Sequence, residues 1–182
     1  MKWIGVSGSW RKMNQEIDDK VRNVVREIVL RGDGIVSGGA LGVDSIALDE
    51  ALKIDSVAER IKIFLPTTLE VYSAHYRKHA TFGTITNKQA EGLIDQLTRL
   101  KKINPKALIE SLDVNFTEET KKQMYYRRNT DVVNALDELV AFQVRSEQSE
   151  GLGTADAVGK ARAKGIPVQL FQYDLTEEVL KN

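Results

Sequence analysis

Residues 35–44 read Ile-Val-Ser-Gly-Gly-Ala-Leu-Gly-Val-Asp, and this stretch decides the fold class of the chain. A short apolar run leads into a glycine turn, and a helical pattern follows directly, with Asp44 in its first turn. Glycines allow the backbone to approach an anion closely, and the free N–H groups at the start of the helix face that anion. The stretch therefore predicts an α/β protein that binds a phosphate-bearing ligand.

Apolar strands and amphipathic helices alternate on both sides of this stretch. Apolar side chains three and four residues apart mark the helices, as between Ile17 and Val29. Strands are predicted over Trp3–Ser7, Ile35–Ser37, Ile61–Leu65, Leu139–Val144 and Val168–Gln172. Because strands that alternate with helices form parallel sheets, we predict a Rossmann-like three-layer sandwich whose mainly parallel sheet has about five or more strands.

A long insertion separates the third and fourth predicted strands, since residues 66–138 exceed the span of one crossover helix. Pro105 opens the second of the helices predicted there, which cover residues 86–100, 105–109 and 117–136. We therefore predict a single domain over residues 1–182, with a helical elaboration at about residues 68–122.

Charge and composition restrict the classes of function. Lys and Arg together number 26, as do Asp and Glu, so no overall field attracts polyanions, and nucleic-acid binding is disfavoured unless a local patch supplies it. The chain contains no cysteine, which excludes disulfides and thiolate chemistry. Its first residues do not resemble a signal peptide, and its apolar runs are shorter than the ~20 residues of a membrane helix. We expect a cytoplasmic protein without a membrane partner.

Small polar residues and glycines follow four of the predicted strands. The carboxyl ends of parallel strands share one edge of the sheet, where open α/β sheets bind their ligands. One such loop alone more often makes a tight turn, but two glycine loops that open helices in one sheet favour a ligand pocket. The candidate binding residues in these loops are Ser7, Gly8, Ser9, Ser37, Gly38, Gly39, Gly42, Asp44, Pro66, Thr67, Gly151, Gly153 and Thr154.

Two familiar nucleotide motifs are absent. No Gly-x-Gly-x-x-Gly follows the first predicted strand, which disfavours a dinucleotide-dependent dehydrogenase. The segment 153–161 lacks the spacing and the hydroxyl of a Walker A loop, which disfavours ATP hydrolysis.

The glycine turn resembles a known loop. Residues 37–44 are similar to the serine-glycine-glycine-x-x-glycine-x-aspartate loop of the SLOG superfamily. This superfamily includes the Rossmann-like domain of DNA-processing protein A, also called Smf, and the LOG or lysine-decarboxylase-like phosphoribohydrolases. Arg128-Asn129 resembles the arginine-asparagine pair of the DNA-processing branch. The resemblance covers residues 1–66 and 124–173.

This resemblance implies a sensor or regulator that binds a nucleotide or nucleotide-derived phosphate, such as AMP or ADP-ribose, requires no cofactor and forms a homo-oligomer. Arg128 would neutralise the phosphate with bidentate contacts, although its spacing also allows a surface pair with Asp131. Asn129 would bond a ribose hydroxyl or a loop carbonyl. Asp44 would either contact the ligand or cap its own helix.

The first alternative is LOG-like hydrolysis of the N-glycosidic bond of nucleoside 5′-monophosphates. Residues 124–128 resemble the methionine-x-x-arginine-lysine motif of that branch, and residues 151–154 resemble the second half of its glycine motif. Ala157 stands where the LOG enzymes carry a glutamate that takes part in bond cleavage. If the chain is an enzyme, Asp44 and Glu150 are the candidate catalytic carboxylates.

The second alternative is single-stranded DNA binding, by analogy with the DNA-processing branch. This function needs a basic surface and a steep dependence on salt. The neutral net charge ranks it below the two small-ligand functions.

A segment after the third predicted strand carries both histidines of the chain, His75 and His79, one helical turn apart. Tyr72, Tyr76 and Phe82 are interleaved with them. The pattern is typical of a packing helix, or of a lid whose aromatic rings stack on a base. We expect no metal site, because the sequence offers no evident third ligand.

Overall fold

Strands and helices alternate along the chain in the computed structural model, which describes residues 1–9, 12–146, 149 and 151–176. The strands are β1 (Trp3–Gly8), β2 (Gly34–Ser37), β3 (Ile61–Leu65), β4 (Leu108–Glu110), β5 (Glu138–Arg145) and β6 (Val168–Asp174). The helices are α1 (Gln15–Leu30), α2 (Val43–Ile54), α3 (Leu69–Thr81), α4 (Asn87–Ile103), α5 (Lys121–Asn134) and α6 (Leu152–Ala163).

The six strands form one parallel sheet in the order β4-β3-β2-β1-β5-β6. In the central strand β1, Ile4 is in register with Ile35 of β2 on one side and with Glu138 of β5 on the other. The chain builds outward from β1 to β4 and then crosses to the opposite side of β1. The predicted α/β class with a parallel sheet of five or more strands is confirmed. The change of winding direction between β1 and β5 marks the position where such sheets hold ligands.

Alternating side chains of the central strands pack into two apolar clusters, one on each face of the sheet. Ile35 and Val140 belong to the cluster formed with α1, α2 and α4, whereas their neighbours Val36 and Leu139 pack with α5 and α6. Successive strand residues point to opposite faces, so this alternation produces the predicted three layers. Each fully buried aliphatic side chain stabilises the fold by ~1.5–3 kcal/mol.

Strand β4 overturns one prediction. Pro105 opens a single 3₁₀ turn, but Leu108 and Ile109 continue as a strand instead of a helix. They pair with Ile63 and Phe64 of β3. A three-residue strand is too short to show a period of two, and its identity depends on a partner that is remote in sequence.

Threonine hydroxyls set the starts of the helices between β3 and β5. Thr68 caps α3, and Thr86 forms a reciprocal capping box with Gln89 at the start of α4. Thr117 and Thr120 accept from one another's backbone N–H groups in the turn before α5, which begins at Lys121 and not at the predicted Thr117. Among the helices of the described residues, none is long and apolar enough to cross a membrane.

Candidate functional site

A cavity of about 400 Å³ lies at the carboxyl edge of the sheet, where β1 and β5 end on either side of the change in winding direction. The end of β1, the middle of α3, one face of α5 and the first turn of α6 surround it. A larger groove of about 620 Å³ runs between α2 and α4, away from these strand ends. Its walls include the partly buried ion pair of Arg22 and Asp49. We place the functional site in the cavity, because it lies at the strand ends beside the change in winding direction.

The structure divides the predicted binding residues into two groups. Those that line the cavity are Ser7, Gly8, Ser9, Asp44, Arg128, Asn129, Gly151, Gly153 and Thr154. Those that do not line it are Ser37, Gly38, Gly39, Gly42, Pro66 and Thr67. Ligand binding by the second group stays a prediction, and hydrogen bonds within the protein occupy two of its hydroxyls. Ser37 donates to the Val6 carbonyl at 2.8 Å, and Thr67 donates to the Asp113 carbonyl at 2.7 Å.

The glycine turn packs against the sheet and against Arg128. The Arg128 guanidinium donates to the Gly38 carbonyl, in a space that a Cβ atom at Gly38 would fill. Gly39 has a φ of +64°, and a Cβ atom there would lie 2.8 Å from the side chains of Ile63 and Leu65. These glycines are therefore required by close packing.

Asp44 and Arg128 form the buried floor of the cavity, with 4% and 9% of their surfaces exposed. Burial raises the pKa of the Asp44 carboxyl, and the positive charge of Arg128 opposes this effect. One carboxylate oxygen accepts a hydrogen bond from the Ala40 N–H at 3.3 Å. The other, Oδ1, is buried and has no hydrogen-bond partner among the described residues. Arg128 Nε also donates to Asn129 Oδ1 at 3.2 Å, so the guanidinium is held from two sides.

Asn129 connects α5 to the start of α6. Its Nδ2 donates to the Gly153 carbonyl at 3.3 Å and to Asp156 Oδ2 at 3.0 Å. We expected a ribose hydroxyl or a loop carbonyl as its partner, but Gly153 lies in the first turn of α6. Asp156 also accepts from Lys160 at 2.7 Å, so its carboxylate is occupied by protein partners.

The cavity offers few carboxylates for LOG-like hydrolysis of an N-glycosidic bond. Ala157 is buried at the position of the LOG glutamate. Glu150 lies outside the described residues. Among the described residues, Asp44 is the carboxylate that lines the cavity. Catalytic roles for Asp44 and Glu150 stay predictions.

The first turn of α6 contributes backbone N–H groups to the cavity. Gly151 precedes it with a φ of +68° and, as a glycine, provides no side-chain cap. The first N–H groups of a helix have no partner within it, and the positive end of the helix dipole is located there. Ser9 fixes the neighbouring wall, because its hydroxyl accepts from the Val144 N–H at 3.0 Å and donates to the Val144 carbonyl at 3.2 Å. The arrangement suits a phosphate group.

A basic and aromatic rim on α5 was missed by sequence reasoning. It consists of Lys121, Lys122, Tyr125 and Tyr126, all of which line the cavity. Lys121 is ion-paired with Glu118, and the exposed Lys122 lies 5.8 Å from the centre of the Tyr126 ring. Their spacing was the available signal, since residues three and seven apart share a helix face. Lys121 and Tyr125 have this spacing from Arg128, and Lys122 and Tyr126 have it from Asn129.

Two imidazoles on α3, together with Tyr76 of the same helix, also line the cavity. The Nε2 atoms of His75 and His79 lie 3.1 Å apart. Burial lowers the pKa of His75 to about 4, and the adjacent His79 acts in the same direction. Tyr72 and Tyr76 of the same helix are buried in the core, so α3 packs against the fold with one face and presents its histidines to the cavity with another.

Comparison with known proteins agrees with this architecture. A family model described as DNA recombination-mediator protein A matches residues 1–162. No curated protein sequence matches the chain. The solved structure of DNA processing protein A from Helicobacter pylori, a protein that binds single-stranded DNA, aligns with a TM-score of 0.63 at 19% identity. The alignment covers 93% of this chain and 64% of that one, so this chain spans less than two thirds of its length.

A second solved structure, of the protein TM1055, aligns with a TM-score of 0.52 at 17% identity, over 92% of this chain and 72% of that one. At these identities the structural matches establish a shared fold, and the family model carries the assignment. The chain belongs to the DNA recombination-mediator protein A family, within the SLOG superfamily that its motifs resemble.

Proposed function

We propose that this chain binds single-stranded DNA and that its cavity holds one nucleotide unit of the strand. The observation that carries the proposal is the composition of the cavity wall. Lysines and tyrosines of the α5 rim line the cavity together with the first residues of α6 and with Gly8 at the end of β1. Cations and helix N–H groups bind phosphate, and aromatic rings stack on bases at ~1–3 kcal/mol each.

The charged side chains that line the cavity support this proposal, although the net charge of the whole chain does not. Two lysines and one arginine line the cavity, against a single carboxylate among the described residues. The ranking of DNA binding below the small-ligand functions rested on a net charge of zero and is not borne out. The DNA-binding relative from Helicobacter pylori also supports the revised order.

Lys122 provides the first test. It is exposed, and we expect it to contact a phosphate of the strand. Fluorescence anisotropy with a labelled oligothymidine at several salt concentrations measures the affinity and its salt dependence. Lys122→Gln should weaken binding and reduce the slope of log affinity against log salt by ~0.7, the value for one lost contact to a single strand.

Lys106 is the matched control. It is also exposed, but it lies just before β4, at the opposite edge of the sheet. Lys106→Gln should leave both affinity and salt slope unchanged. Equal losses in the two variants would indicate nonspecific attraction to the whole surface and would contradict binding at the cavity.

A second candidate function is binding of a free nucleotide-type ligand such as AMP or ADP-ribose. The cavity volume of about 400 Å³ favours it, because this size is typical of small-molecule sites. Competition separates the two candidates. If the cavity is primarily a nucleotide site, AMP binds on its own in calorimetry and displaces the oligonucleotide at micromolar concentration. If DNA is the ligand, displacement requires a large excess of AMP, because a mononucleotide makes fewer phosphate contacts.

A further inference from the structure

His75 and His79 on α3 form a pair to which the proposed DNA binding assigns no role. His75 and His79 are both half-buried in the cavity wall, with Nε2 atoms 3.1 Å apart and ring planes at 83°. Two nitrogen ligands at ~2.0–2.1 Å from one metal ion lie ~2.9 Å apart at a right angle and ~3.4 Å apart at the tetrahedral angle. The observed separation, at which the two rings are hydrogen-bonded to each other, falls between these limits, so the distance between the nitrogens fits one ion bound to both.

Neighbouring aromatic rings hold the pair in place. The ring of Phe116 packs edge-on against His75 with 4.9 Å between the ring centres, and Tyr76 packs on it at 5.9 Å. Tyr76 is itself buried and anchors α3 in the core. A ligand side chain that is already oriented loses less conformational entropy when it binds.

We propose that His75 and His79 bind one divalent transition-metal ion whose open coordination positions accept a phosphate oxygen of the ligand in the cavity. Imidazole nitrogens suit zinc, nickel and cobalt. Within residues 1–9, 12–146, 149 and 151–176, no group of three or more His, Cys, Asp and Glu side chains is arranged to hold a metal. Water and the ligand therefore complete the coordination shell, as in sites that keep positions open for substrate. From the sequence we expected no metal site, because it offers no evident third protein ligand. In the proposed site, water and the bound phosphate take the place of that ligand.

Charges around the pair couple the metal to the phosphate. Lys78 on α3 and Lys121 on α5 act on His75 with positive charge, and Glu118 acts with negative charge. A phosphate bound in the cavity, which Lys121 also lines, attracts a divalent ion at the pair. Metal and phosphate therefore strengthen each other's binding by the same factor. This coupling rests on the proposed function, whereas metal binding by the pair does not.

Calorimetric titration of the EDTA-treated full chain with Ni²⁺ tests the site without any nucleotide. We expect one ion per chain, and at least about tenfold weaker binding in His75→Gln and in His79→Gln. Arg77→Gln is the control, because Arg77 lies on the same helix and pairs with Glu91 on α4. Because the chain has two histidines, Ni²⁺ should also broaden the NMR signals of two imidazoles in the unmodified protein. Equal Ni²⁺ affinity in the histidine variants and the unmodified chain would overturn the site.

A second titration, in saturating AMP, tests the coupling. AMP should tighten Ni²⁺ binding at least about fivefold after correction for free Ni²⁺–AMP complex, and adenosine, which lacks the phosphate, should not. No effect of AMP, or an equal effect of adenosine, would overturn phosphate coordination. Oligonucleotide binding measured in EDTA tests the proposed function without any metal. A failure of DNA binding can therefore be distinguished from a failure of the coupling between metal and phosphate.

Discussion

Gly38 lies where the buried guanidinium of Arg128 meets the backbone of the glycine turn. A Cβ atom there would lie 2.5 Å from Arg128 Cζ and 2.9 Å from Asp44 Oδ2. Arg128 has little room to move, because it is buried and bonded to Asn129 as well. The sequence pattern predicted Gly38 as a binding residue. The structure shows it in close packing with Arg128, and ligand binding by the turn stays a prediction.

Gly38→Ala should therefore destabilise the fold. We expect a loss of ~1–3 kcal/mol in the free energy of unfolding, the usual cost of forcing extra atoms into a packed site. Urea unfolding followed by circular dichroism measures it. Gly92→Ala is the control, since Gly92 lies in α4 with nothing within 4 Å of its added Cβ, and it should gain ~0.5–1 kcal/mol. A Gly38→Ala variant as stable as the unmodified protein would contradict the close contact with Arg128.

At the scale of secondary-structure elements, α1 and α2 are joined by a buried carboxylate. Glu50 of α2 is 4% exposed and accepts hydrogen bonds from Arg26 at 2.6 and 3.1 Å, and from Arg22 at 3.3 Å. Lys53 lies 3.2 Å away. Burial alone would raise the pKa of Glu50, but hydrogen bonds from Arg26 and Lys53 outweigh it and hold the pKa below its usual value of 4.5.

Glu50→Gln should weaken this helix pair, with a loss of ~1–3 kcal/mol near neutral pH, because hydrogen bonds to a charged group are broken. A lowered pKa gives a contribution that is present above pH 4.5 and disappears as the pH falls through the folded-state pKa. The stability difference between the variant and the unmodified protein should therefore shrink in acid. Urea unfolding at neutral and acidic pH checks both expectations.

Glu91→Gln is the matched control for this prediction. Glu91 pairs with Arg77 at 2.8 and 2.9 Å between α3 and α4, but the pair is exposed to solvent. Solvent screens such a pair, so this variant should change the free energy of unfolding much less than Glu50→Gln does. An equal change in the two variants would contradict the special role of burial at Glu50.

At the scale of the whole molecule, local patterns predicted the sheet better than the site. Strands such as Ile61–Leu65 carry their own apolar signal and were found where expected. The strand Leu108–Glu110 depends on pairing with β3, and the α5 rim depends on the placement of α5 against the carboxyl edge of the sheet. Such contacts between distant residues leave no local period in the sequence. The pair Arg128-Asn129 was noticed because it resembles a short family motif. The hydrogen bonds of its side chains to Gly38, Gly153 and Asp156 could not be predicted, because these partners are distant in the sequence.

The central claim is that the cavity itself holds the DNA strand, and Gly153 allows it to be tested directly. Gly153 lines the cavity, and an added Cβ atom would have nothing within 4 Å. Gly153→Phe should therefore fold normally and place a bulky ring at the cavity wall. Gly159→Phe is the control, because Gly159 is also exposed and open but lies elsewhere on α6, outside the cavity lining.

Fluorescence anisotropy with a labelled oligothymidine at moderate salt is the decisive measurement. The cavity account predicts that Gly153→Phe weakens binding by about 5-fold to 150-fold, which corresponds to the ~1–3 kcal/mol of one lost base contact. It predicts that Gly159→Phe binds like the unmodified chain. Unchanged affinity in Gly153→Phe, with its fold confirmed by circular dichroism, would contradict the claim that the strand enters the cavity.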